Sequence, residues 1–312
     1  MSRIAVGAVT LILLILTLIF FNPITAMGEM GLCLPSPNIW KWPHIAAWCV
    51  NSVIIFVCAL VMAYANKKYN FIPEAQPVMA LGLLLLLGCN CVTTSTLSTS
   101  TLLLLCNVVC LFVIISTFEE RNATREFFII GTLPAIGAMI QYSFLVMIPV
   151  YIAGGILMKS FRLRELIAFI FGLIAPYWIA IGMGMISPFD FKLPESLIVF
   201  NKEAVDADIF LTLLATGIMA LFGFVFALYN GVRLFSRNSR LRCIHSTFNI
   251  MGVISIFAII FDFSNFVAYF GTIALWVAIE TATLLYFYNL RKPQLALILI
   301  LVIFLPLYIL AL

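Results

Sequence analysis

The chain has 312 residues, of which 64% belong to the apolar set and only 10% are charged. A soluble globular domain carries about 25% charged residues, so this composition excludes one. The net charge of +4 does not indicate nucleic-acid binding, because the basic residues fall in short loops between apolar runs, where they set membrane topology.

Apolar runs of about 16 to 25 residues recur along the whole chain, and an α-helix needs that length to cross a bilayer. A β-barrel needs short alternating segments, which continuous runs such as 4–21 and 209–229 contradict. The sequence therefore predicts an all-α, polytopic bundle forming a single membrane domain. We predict about eleven spans, at residues 4–21, 45–66, 77–92, 101–118, 127–140, 143–158, 165–187, 209–230, 244–261, 267–289 and 294–312.

The first spans set the orientation. Arg3 precedes span one, which places the N-terminus in the cytoplasm. A cleaved signal peptide is the alternative, but the apolar stretch is long for one and residues 22–27 form a poor cleavage site. Span two returns to Lys67 and Lys68, and span three leads outward to a polar tip at residues 93–96.

The segment from 127 to 158 is apolar throughout, yet both of its ends are basic. Arg121 and Arg125 precede it, and Lys159 follows it. One long helix would place these clusters on opposite sides of the membrane. We therefore predict a hairpin of two short helices with a turn near Gln141.

With the later spans threaded in the same way, the N-terminus lies inside and the C-terminus outside. Every Lys and Arg except Lys41, Lys192 and Lys202 then falls on the cytoplasmic side, as the positive-inside rule requires. The four Arg between 233 and 242 are explained by topology alone. No internal repeat is evident, which disfavours an inverted-repeat transporter.

Glu280 is the most informative single residue. It lies within the predicted span 267–289, about 15 Å along a helix from Arg291. An ionised carboxylate at that depth is costly unless it is paired or faces water. It is either a proton-linked or ligand-binding group, or a protonated side chain bonded to a neighbouring helix.

Other intramembrane polar residues, including Asn107 and Gln141, commonly join helices. They become candidate substrate or ion ligands if they share a cavity with Glu280. On the outer side, Glu29 could act as a general base toward a lipid-linked acceptor, with Lys192 and Lys202 near a phosphate. A solvated loop residue is the alternative interpretation of Glu29. Asp262 is predicted to cap the helix that follows it.

The chain contains only two His, and the predicted topology separates His44 from His245. This argues against a His-rich metal centre. No phosphate loop, haem motif or Ser-His-Asp grouping is present, so we predict no cofactor and no metal site.

Residues 66–177 resemble a family of uncharacterised inner-membrane proteins found mostly in Bacteroidota. The resemblance rests on a basic turn, a short helix with a polar tip, a charged turn and an apolar hairpin, in that order. The charged turn is FEERN at 118–122. The hairpin is followed by KSFRLRE at 159–165 and GLIAPY at 172–177. Some members are named carotene-cleaving monooxygenases, an activity that needs His-ligated iron, and the His count here argues against it. The resemblance implies a bacterial inner-membrane location.

More distantly, the same stretch is similar to the helical core of C-type membrane glycosyltransferases, which use polyprenyl-phosphate sugars. In that superfamily an acidic residue of the first outer loop is catalytic, and only Glu29 is available here. The resemblance implies a role in envelope biogenesis, with the bilayer and a polyprenyl-linked glycan as partners. A transporter or lipid flippase using Glu280, and a non-catalytic subunit of a membrane complex, are the alternatives.

Overall fold

The computed structural model describes residues 3–20, 32–35, 37, 40, 42–72, 76–187, 207–234, 238–287 and 294–311. These residues form helices and no β-strand, which confirms the predicted all-α class. Within the described ranges, six helices are long and apolar enough to cross a membrane, and shorter apolar helices lie beside them. The chain is an integral membrane protein built as a multi-pass helical bundle.

The helices follow the predicted spans closely. In chain order they are α1 (Arg3–Phe20), α2 (His44–Tyr69), α3 (Gln76–Gly88), α4 (Cys91–Ser95), α5 (Thr99–Ser116), α6 (Thr124–Ile140), α7 (Ile148–Leu157), α8 (Leu163–Gly182), α9 (Ala207–Leu234), α10 (Ser239–Phe261), α11 (Phe266–Phe287) and α12 (Gln294–Ala311). Short 3-10 helices at Tyr142–Met147 and Phe263–Asn265 precede α7 and α11.

The predicted hairpin at 127–158 is confirmed. Helix α6 ends at Ile140, and Gln141 adopts an extended conformation before the chain reverses. The two ends of the segment meet: the Glu119 amide donates to the Met158 carbonyl at 2.9 Å, and the Lys159 ammonium lies 3.0 Å from the Glu119 carboxylate. A single helix over these residues would hold its ends roughly 45 Å apart.

Three segments that carry basic residues also meet at this end of the bundle. The Arg240 guanidinium, at the start of α10, lies over the rings of Tyr69 and Phe118 at 5.2 and 5.6 Å. Tyr69 is the last residue of α2, and Phe118 lies just after α5. The ends of α2 and α5 and the start of α10 therefore lie together, as the predicted topology requires.

The polar tip predicted at residues 93–96 differs from the structure. The predicted span 77–92 is broken after Gly88, and residues 93–95 form part of the buried helix α4. Asn51 of α2 donates to the carbonyls of Thr93 and Thr94 at 2.9 and 3.3 Å, so the polar groups bond within the protein. Irregular backbone at membrane depth is tolerated where protein covers it in this way.

Helix α11 lies at the centre of the bundle, in contact with α3, α5, α9 and α10. Almost its whole length is buried. Its Trp276 side chain packs against glycines of two neighbours: a Cβ atom added at Gly252 would lie 2.1 Å from the Trp276 ring, and one added at Gly223 would lie 2.7 Å from it. Small residues thus allow α9 and α10 to approach α11 closely.

Candidate functional site

Glu280 lies on α11, in the half of the helix nearer to Phe287, and its side chain is fully buried. Asn230 of α9 donates from its amide nitrogen to Glu280 Oε2 at 2.6 Å and to the Glu280 backbone carbonyl at 2.9 Å. On the other side, Nδ1 of His245 on α10 lies 3.6 Å from Glu280 Oε1. Three helices therefore contribute one polar side chain each to a buried cluster, the Glu280 cluster.

Several polar atoms in the Glu280 cluster have no hydrogen-bond partner within the part of the chain that the structure describes. They are Glu280 Oε1, Asn230 Oδ1 and both ring nitrogens of His245. Each buried polar atom without a partner costs about 1–3 kcal/mol, and more if it carries a charge. Several such atoms in one place call for an explanation, and a chemical role or a bound water molecule would supply one.

A small pocket adjoins His245 on the side of the basic turns. It is lined by Phe71, Ile72, Leu234, Leu241, His245, Thr283, Tyr286 and Phe287, and it leaves about 20 Å³ for the centre of a water-sized molecule. A single water needs at least about 10–15 Å³ on this measure. One water molecule therefore fits next to the imidazole.

The Glu280–His245 pair is suited to holding a proton. A buried Glu⁻ beside neutral His leaves a net charge in an apolar site, and so does a protonated Glu beside His⁺. With one proton shared between the two side chains, on either the carboxylate or the imidazole, the pair is neutral overall. The separation of 3.6 Å between Nδ1 and Oε1 needs only a small side-chain movement to become a hydrogen bond. The pair can thus share one proton without leaving a net charge inside the bundle.

Several polar side chains on and just before α11 form a stripe along one face of the helix. Asn265 precedes the helix by one residue, and Tyr269, Thr272, Trp276, Glu280 and Thr283 follow it at intervals of three or four residues. At 100° per residue they share an arc of about 80°. Asn107 of α5 donates to Thr272 at 2.9 Å, and Trp276 donates to Asn249 of α10 at 2.9 Å. The stripe connects the Glu280 cluster with the opposite end of α11.

At that opposite end, Asp262 forms a second buried cluster, the Asp262 cluster. The hydroxyls of Tyr142 and Tyr269 donate to its two carboxylate oxygens at 2.6 and 2.9 Å, and the Asn265 amide donates to Oδ1 at 2.9 Å. Gln141 in turn donates to Asn265 at 2.9 Å. The prediction that Asp262 caps the following helix is wrong, because its side chain makes no cap bond and binds these side chains instead.

The structure does not bring the predicted ligands together in one cavity. Asn107 donates to Thr272 and accepts from the Tyr151 hydroxyl at 2.5 Å. Thr272 is about 12 Å along α11 from Glu280, and Asn265, which Gln141 contacts, is about 22 Å from it. Asn107 and Gln141 therefore belong to separate hydrogen-bonded groups, and their predicted role as ligands stays a prediction.

Glu29, Lys192 and Lys202 lie outside the described residues. The predicted catalytic base and the predicted phosphate contacts therefore stay predictions as well.

His245 and Asn230 are the residues that sequence reasoning missed, although a signal for one of them was present. His245 lies 17 residues before Asp262 in the turn between α10 and α11, and Glu280 lies 18 residues after it. Two antiparallel helices joined by a short turn place such residues at equal depth. Asn230 had no comparable signal, because the contact depends on how α9 packs against α11.

Among the described residues, no group of three or more His, Cys, Asp or Glu side chains is arranged to hold a metal ion.

No protein-family model, no curated protein and no solved structure matches this chain.

Proposed function

We propose that this integral membrane protein is a proton-coupled transporter or lipid flippase, in which Glu280 and His245 bind and release the coupling proton. One observation carries the proposal: a fully buried carboxylate faces a buried imidazole from another helix at 3.6 Å, and neither ring nitrogen nor the facing oxygen has a hydrogen-bond partner among the described residues. Intramembrane ionisable residues of this kind mark proton relays and ion pathways.

The position of the pair supports the same proposal. Glu280 and His245 lie on helices that meet at the short turn around Asp262, and Asn230 joins them from α9. A change of charge on this pair acts on α9, α10 and α11 at once, because each of these helices contributes a side chain to the Glu280 cluster. The pocket beside His245 has room for one water molecule, which would carry the proton from the imidazole toward the basic turns.

The alternative proposal is a bacterial inner-membrane protein of envelope biogenesis that handles a polyprenyl-linked glycan. Its support is the resemblance of residues 66–177 to the transferases that use such lipids. This alternative assigns the chemistry to Glu29, with Lys192 and Lys202 at a phosphate, and gives Glu280 no chemical role. The two proposals therefore differ in which carboxylate is essential.

A complementation experiment separates them. A deletion strain is analysed by mass spectrometry of lipids and soluble metabolites, and then complemented with the wild-type chain, Glu280→Gln or Glu29→Gln, each expressed at an equal membrane level. Transport predicts that Glu29→Gln restores the wild-type profile, whereas Glu280→Gln does not. If a polyprenyl-linked intermediate accumulates and Glu280→Gln clears it while Glu29→Gln does not, the proton-coupling proposal is wrong. If both variants restore the profile, neither carboxylate is essential, both proposals are wrong, and a non-catalytic subunit is the remaining interpretation.

A further inference from the structure

Helices α6 and α8 cross closely and leave a groove at the end of the bundle that carries the basic turns. Gly131 and Gly172 form the crossing: an added Cβ atom would lie 2.4 Å from the Phe169 carbonyl oxygen at the first and 2.3 Å from the Phe128 carbonyl oxygen at the second. Neither position accepts a larger residue, so the relative placement of the two helices is fixed. The groove has a volume of about 550 Å³.

The entrance of the groove is basic. Arg125 lies in the first turn of α6 and Arg164 in the first turn of α8, and both line the groove. Both are exposed, and neither has an ion-pair partner within the described residues. Two arginine side chains on two rigidly joined helices therefore line one groove, and guanidinium groups bind phosphate well.

Acidic neighbours do not cancel this charge inside the groove. Glu126 and Glu165 follow the two arginines directly in sequence, but neither lines the groove. Glu165 is buried on another face of α8. The lining therefore carries positive charge without a carboxylate among it.

Deeper in the groove, the lining becomes apolar. Phe128, Ile167 and Phe171 are exposed by 40%, 47% and 63%, respectively. They lie about one to two turns below the arginines along the same helices. This order, with charge at the membrane face and aromatic and aliphatic side chains beneath it, matches a lipid whose headgroup is anionic and whose chain extends into the bilayer.

We propose that this groove is a binding site for an anionic phospholipid of the surrounding bilayer. Its phosphate lies between the guanidinium groups of Arg125 and Arg164. One acyl chain packs along Phe128 and Phe171. The site is independent of the Glu280 cluster and does not rest on the proposed transport activity.

The test uses the full chain purified in a mild detergent and native mass spectrometry with equal amounts of phosphatidylglycerol and phosphatidylcholine of identical acyl chains. The wild-type chain should retain phosphatidylglycerol preferentially. A double variant, Arg125→Gln with Arg164→Gln, should lose about thirtyfold in affinity for phosphatidylglycerol, about fivefold for each arginine. It should bind phosphatidylcholine as the wild type does.

A charge-matched control is available on the same membrane face. Arg121 and Arg162 are exposed and do not line the groove. The double variant Arg121→Gln with Arg162→Gln should change phosphatidylglycerol retention by less than about twofold. Equal losses in the two double variants would show diffuse surface attraction and overturn the site. The proposal is also wrong if the wild type shows no lipid preference, or if soluble glycerophosphate displaces the lipid.

Discussion

Two buried carboxylates lie near opposite ends of α11, and they differ in how completely their oxygen atoms are bonded. Asp262 accepts hydrogen bonds from Tyr142, Asn265 and Tyr269, so both of its oxygens have partners. Glu280 has one oxygen bonded to Asn230, whereas the other faces His245 at 3.6 Å without a bond. A fully bonded carboxylate joins helices, whereas a partly bonded one leaves an oxygen open to a further partner.

The comparison predicts that the Asp262 cluster contributes strongly to stability. Asp262→Ala removes three hydrogen bonds that Tyr142, Tyr269 and Asn265 donate to its carboxylate, and the free energy of unfolding should fall by about 3 kcal/mol. The eight free cysteines, five of them buried, allow unfolding to be followed with a thiol-reactive dye during heating in detergent. A loss below about 1 kcal/mol would remove the structural role assigned to Asp262.

Between the two clusters, packing at Trp276 should matter next. Gly252→Ala places a methyl group on the Trp276 ring and displaces its bond to Asn249, which should cost about 2 kcal/mol by overpacking. Gly217→Ala on α9 is the matched control, because a Cβ atom there has nothing within 4 Å. The control should be neutral or slightly stabilising, since alanine favours a helix over glycine. Equal destabilisation by both variants in the same thiol-dye assay would show that the ring contact is not the cause.

A smaller effect is expected from the hydrogen-bonded group at Asn107. Tyr151→Phe removes the donor to Asn107 and keeps the ring in place. Interhelical hydrogen bonds in membrane proteins contribute about 0.6 kcal/mol on average, and a change of about that size is expected. A loss of function without a loss of stability would instead support the predicted ligand role of Asn107.

Glu280→Gln should change the free energy of unfolding by no more than about 0.5 kcal/mol in either direction. The glutamine side chain is neutral and of the same shape, and its amide oxygen can still accept from Asn230. Thermal unfolding in detergent measures it beside Asp262→Ala. If Glu280→Gln unfolds the protein as readily as Asp262→Ala does, Glu280 is a structural carboxylate like Asp262.

The sequence predicted the helices and the hairpin at 127–158 because both depend on apolar length and on which side basic residues lie. These are properties of single segments. The burial of the turn at 93–96 was not predicted, because its hydroxyls and carbonyls bond to Asn51 on another helix. A polar turn at a membrane surface and one covered by protein have the same composition.

The sequence also indicated Glu280 as unusual from its depth alone. It did not provide His245 and Asn230 as neighbours, because a contact between helices depends on rotation and packing as well as depth. Asp262 shows the converse: its sequence position is typical of a helix cap, yet the tyrosines that bind it come from residues 7 and 120 positions away.

Proton movement tests the central claim most directly. The purified chain is reconstituted into liposomes that trap a pH-sensitive dye, and the decay of an imposed pH difference is followed for the wild type and for Glu280→Gln. The wild-type chain should dissipate the pH difference faster than the variant, because the variant lacks the carboxyl group proposed to carry the proton. Equal rates for the two chains would contradict the assignment of Glu280 as a proton-binding group.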